Sequence, residues 1–73
     1  MNERTANILH TIELTKELLT QADLGDMSRD DDSCGVLYGI MRDSAYRILS
    51  AAEREKIRHI DRGIWDDSPE NHV

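Results

Sequence analysis

The sequence predicts an all-α protein: an antiparallel two-helix hairpin with a long second helix, associating into a four-helix bundle dimer. Three observations carry this. Apolar residues recur at helical, not alternating, spacing over two long segments. A short run rich in Gly, Asp and Ser separates them. No proline interrupts either segment, because the single proline is Pro69.

The first helix is expected over about residues 3–24. Ile8, Ile12, Leu19 and Ala22 follow one stripe, Thr15 fills its gap, and Leu9 and Leu18 flank it. Asn2 or Thr5 can cap the first amides. Gly25 follows the last periodic residue and suits the left-handed position that ends a helix. The turn is therefore placed at about residues 25–30. Ser28, Asp30, Asp31, Asp32 and Ser33 are all good N-cap or first-turn residues, and their carboxylates favour the positive end of the next helix.

The second helix is expected over about residues 31–62, near 45 Å long at about 1.5 Å per residue. Cys34, Leu37, Met41, Ile48 and Ala52 form its stripe, with Ser44, Ala45 and Ala51 as small neighbours. Val36-Leu37-Tyr38 is apolar, but the helical register runs through it. Gly63 supplies a stop, and residues 64–73, with Asp66, Asp67 and Glu70, read as a flexible acidic tail.

Size then raises the question of stability. A chain of 73 residues falls below the roughly 80 at which one core supplies more than ~3–5 kcal/mol. Cys34 is the only cysteine, so no bridge can form within one chain, and a lone cysteine fits a reducing cytoplasm. No metal motif is present, and no cofactor is expected. Met1 leads directly into Asn2-Glu3-Arg4-Thr5 without an apolar h-region, and no stretch is long enough to span a membrane. A cytoplasmic location is the expectation. Self-association is the remaining remedy. Ile57, Ile60, Ile64 and Trp65 lie off the second-helix stripe beyond the reach of the first helix, so another copy is expected to cover them. The expected interface is Leu37, Met41, Ile48, Ala52, Ile57, Ile60 and Trp65.

The formal net charge is −6, unevenly placed. Asp23, Asp26, Asp30, Asp31 and Asp32 make the middle acidic, while the second helix carries Arg47, Arg54, Arg58 and Arg62 along one face. Arg54 and Arg58 are like charges four apart, which mildly destabilises a helix unless an anion meets them. That anion is either the acidic segment of a second chain or nucleic-acid phosphate. The acidic total opposes the phosphate reading at long range. A solvated face is the plain alternative.

Gly35 and Gly39 sit four apart within a helix, where each costs about 1 kcal/mol relative to alanine. Close approach of another helix would compensate. The pair lacks the Gly-Lys-Ser/Thr ending of a phosphate loop. Cys34 has no second cysteine or neighbouring histidine and reads as a core residue. His10, His59 and His72 lack ligand spacing, and Asp30-Asp31-Asp32 lacks the alternation of a calcium loop. Tyr46 and Trp65 each suit a surface contact, with Trp65 read first as a cap on the bundle end. No catalytic constellation emerges.

The plan of two helices, a short turn and an acidic tail is similar to plasmid Rop-type dimers in architecture alone. No motif carries that likeness, so RNA binding does not transfer with it. The functional expectation is a non-enzymatic cytoplasmic protein, a homo-oligomeric interaction or regulatory module. The alternative is a small RNA- or DNA-binding regulator using the arginine ridge.

Overall fold

A computed structural model of the chain describes residues 2–28 and 31–66. It contains two helices, α1 (Glu3–Met27) and α2 (Asp32–Asp61), packed against each other as a hairpin. Residues 67–73, most of the expected acidic tail, lie outside the described residues. No helix is long and apolar enough to cross a membrane, among the residues described.

Both helices begin as their sequences require. Asn2, in extended backbone, accepts a hydrogen bond from Thr5 N at 2.9 Å through its side-chain oxygen. Asp31 does the same for α2, accepting from Cys34 N at 3.0 Å. The two helices end differently. Gly63 adopts φ 72°, the left-handed conformation that glycine takes without strain. Its N–H donates to Ile60 O and that of Ile64 to His59 O, the paired bonds of a Schellman stop.

The first helix does not stop at Gly25. It continues to Met27, and Gly25 is buried within it. The reason is steric. The Tyr38 ring of α2 occupies the place that a Cβ on residue 25 would take. Gly25 therefore serves helix packing and not chain reversal, and the turn begins about three residues later than expected.

Apart from His59, the seam between the helices is built from small side chains. Thr5, Thr15, Ala22 and Gly25 are buried on α1, and Ala45, Ala52 and His59 on α2. The α2 set recurs every seven residues, the spacing that keeps one face turned to a neighbouring helix. Thr15 keeps its hydroxyl satisfied by donating to Thr11 O at 2.7 Å. Ile8, Leu9, Ile12, Leu18 and Leu19 flank the seam half-buried, as the stripe on α1 implied.

On α2 the buried line is rotated from the expected one. Leu37 is 51% exposed and Ile48 43% exposed, while Ala45 is fully buried. Small residues win the centre because they let the two backbones approach, which a Leu or Ile at the same position would prevent. Met41 and Cys34 are half-buried beside the seam.

The Gly25–Tyr38 packing generates a double-mutant test. Gly25→Ala gains about 1 kcal/mol of helix propensity but should lose about 1–3 kcal/mol to overpacking, lowering stability in urea unfolding. In a Tyr38→Ala background the same change should turn stabilising. An equal effect in both backgrounds would contradict the packing described.

Candidate functional site

The hairpin has two ends and two sides, and the described residues singled out in the sequence are spread over these and the seam. At the turn end, Arg42 fixes the register. Its Nη2 lies 2.9 Å from Asp23 Oδ1 and 3.7 Å from Asp26 Oδ2. The hydrogen bond from Arg42 to Asp23 is the main cause raising the guanidinium pKa above its ordinary value. An exposed pair of this kind sets geometry more than stability. Asp31 responds in the opposite direction: the hydrogen bond from Cys34 N holds its carboxyl below the usual range.

At the open end the chain folds back after Gly63. Ile64 N and Trp65 N both donate to His59 O, at 2.9 and 3.2 Å. Asp66 N then donates to Oγ1 of buried Thr5 at 3.1 Å, tying the end of the chain to the start of α1. Trp65 is half-buried, with Lys56 Nζ 5.2 Å from its ring centroid. Trp65 thus sits over the hairpin's own open end.

His59 lies beneath this turn at 8% exposure. Its Nε2 is 3.4 Å from Glu55 Oε1, while the buried Nδ1 has no partner among the described residues. The sequence carried a signal for His59, namely its place seven residues after Ala52. Its lack of ligand spacing concealed that signal.

The expected interface set does not share one surface. Ile57 and Ile60 are 58% and 49% exposed, so their own first helix does not cover them. At about 100° per residue they lie some 180° and 120° around α2 from Ile48. Leu37, Met41 and Ile48 belong to one side of the hairpin, Ile57 and Ile60 to another, and Ala52 to the seam. On the Ile48 side, a shallow groove runs between the helices, lined by Ile8, Thr11, Ile48, Ala51, Ala52 and Glu55.

The arginines occupy the outer surface of α2. Arg47 and Arg54 line a shallow depression with Tyr46 and Ser50. Neither arginine forms an ion pair among the described residues, whereas Arg58 lies 3.6 Å from Glu55. Arg62 is the C-cap residue, its N–H donating to Arg58 O. Gly39 faces open space: a Cβ there would meet nothing within 4 Å. Within one chain the close approach is at Gly25, not at Gly39. Gly35 is half-buried, its N–H donating to Asp31 O.

Among the described residues, no group of three or more His, Cys, Asp or Glu is placed to hold a metal. Compared with protein-family models, curated proteins and solved structures, the chain gives no match.

Two outcomes follow from these ends. Replacing His59 by Leu removes a buried nitrogen without a partner, a defect worth about 1–3 kcal/mol, so His59→Leu should raise the melting temperature. A fall would mean that the Glu55 contact outweighs the orphaned atom. The Asp31 cap gives a pH signature. A carboxyl whose folded pKa is depressed stabilises above its unfolded pKa and loses that contribution as pH falls through the folded one. The melting gap between wild type and Asp31→Ala should therefore be widest at neutral pH and narrow in acid.

Proposed function

We propose that this chain is a non-enzymatic cytoplasmic interaction module that acts through self-association of its helical hairpins. The observation that carries this reading is the inversion of ordinary burial. Apart from His59 the seam is made of Ala, Thr and Gly, while Leu14, Leu24, Val36, Leu37, Ile40 and Ile48 stand 43–64% exposed. Burying a side chain of that size is worth about 1.5–3 kcal/mol. Leu14, Leu37 and Ile48 on each of two copies, each about half exposed, supply a driving force comparable with the cost of associating two chains, about 4–15 kcal/mol.

The seam alone is a thin source of stability, which supports the same reading. Its buried apolar side chains are Ala22, Ala45 and Ala52. Assembly and folding are then linked, and apparent stability rises with concentration.

A second reading has one specific observation behind it. Arg47 and Arg54 share a depression without a carboxylate partner among the described residues. A phosphate backbone would meet them there. That reading requires salt-sensitive RNA or DNA binding that Arg54→Glu abolishes, and the net charge of −6 works against it.

Light scattering after size exclusion tests the first reading. It should report a dimer or larger species at micromolar concentration, with a melting temperature that climbs as the protein is concentrated. A folded monomer whose melting is independent of concentration would overturn it.

A further inference from the structure

Leu14, Leu18, Leu37 and Ile48 lie on one side of the hairpin, around the groove that Ile8 and Ile48 line. At about 100° per residue, all four point away from the seam toward the same flank. Outside this apolar strip each helix carries a further row at seven-residue spacing: Leu24 and Glu17 on α1, Ile40 and Arg47 on α2. All four of these are exposed.

The rows are matched in height. Arg42 on Asp23 and Tyr38 against Gly25 set the antiparallel register. Carried toward the open end, that register puts Leu24 level with Ile40 and Glu17 level with Arg47. Within one chain the two rows are at opposite margins of the flank and do not meet. Across a two-fold axis parallel to the helices, α2 of one copy lies against α1 of the other at the same heights. Apolar Ile40 then faces apolar Leu24, and Arg47 faces Glu17, twice over. A two-fold axis across the helices that sets α2 against α2 would bring Arg47 and Arg54 of the two copies together, so charge selects the first arrangement.

We infer that a second copy of this chain docks on the Leu14–Leu18–Leu37–Ile48 flank, with both turns at the same end and Arg47 paired to Glu17 of the other copy. This rests on the self-association reading and adds to it a surface and an orientation. The antiparallel α1–α2 pairing between copies repeats the pairing within each, giving a four-helix bundle with all neighbours antiparallel.

Sedimentation equilibrium on the full chain tests the assignment with a charge swap. Glu17→Arg and Arg47→Glu should each weaken dimerisation about tenfold, by placing like charges opposite each other. The double variant should return to within about threefold of wild type. Ile48→Glu should abolish the dimer, while circular dichroism at high concentration reports whether the hairpin remains helical. If the wild type dimerises and the charge variants do not respond, or the double variant is not rescued, this face and orientation are wrong while self-association stands. Should the wild type be monomeric throughout, the self-association reading falls with it, and the flank belongs to a foreign helix or to none.

Discussion

The spacing between two helix axes governs this molecule. Thr15 and Ala22 on one side and Ala45 and Ala52 on the other put methyl groups and a hydroxyl on the line of contact, and the Tyr38 ring fills the space that Gly25 leaves. Small side chains on a line of contact let helices approach and gain dispersion contacts. They also exclude large side chains from the line of contact. Leucines and isoleucines that an amphipathic helix would normally bury are displaced to the flanks, where Leu37, Ile40 and Ile48 meet solvent in a single chain. Small at the centre and large at the margin is the arrangement on which the proposed association rests.

The two ends of the hairpin answer to the same spacing. At the turn, the Tyr38 ring can settle against Gly25 because that position has no Cβ, and Arg42 reaches Asp23 and Asp26 across the gap. At the open end, the Gly63 stop turns the chain back over His59, and Asp66 N reaches the Thr5 hydroxyl. Both devices hold α1 and α2 in register without a large core. A rigid register is also what a self-complementary surface needs, since rows of charge on separate helices match a second copy only if their heights are fixed.

Much of this was legible from residues alone, where the physics is local. Asn2 and the aspartate run before Cys34 announced caps, and Gly63 announced a stop, because capping depends on a few neighbouring atoms. The stripe on α1 was also readable, since its half-buried residues are large. What failed was the phase of α2 and the role of Gly25. Leu37 and Ile48 outweigh Ala45 and His59 on any scale that equates size and greasiness with burial, yet the small residues hold the seam. Glycine after a periodic run looks the same whether it ends a helix or admits a tyrosine ring from 13 positions away. That distinction is tertiary, and so is the difference between Gly25 and Gly39. The arginine row was visible by spacing, but its level with Glu17 depends on the register that Arg42 sets.

The central claim is that the flanks left open by a small-residue seam are sheltered by a second chain lying alongside the first. Small-angle X-ray scattering of the intact protein at tens of micromolar measures this directly. The account requires forward scattering of two chains per particle, with a longest dimension still governed by the 30-residue α2, about 45 Å at about 1.5 Å per residue. Scattering from one chain at every concentration would contradict it, and so would a two-chain particle of doubled length.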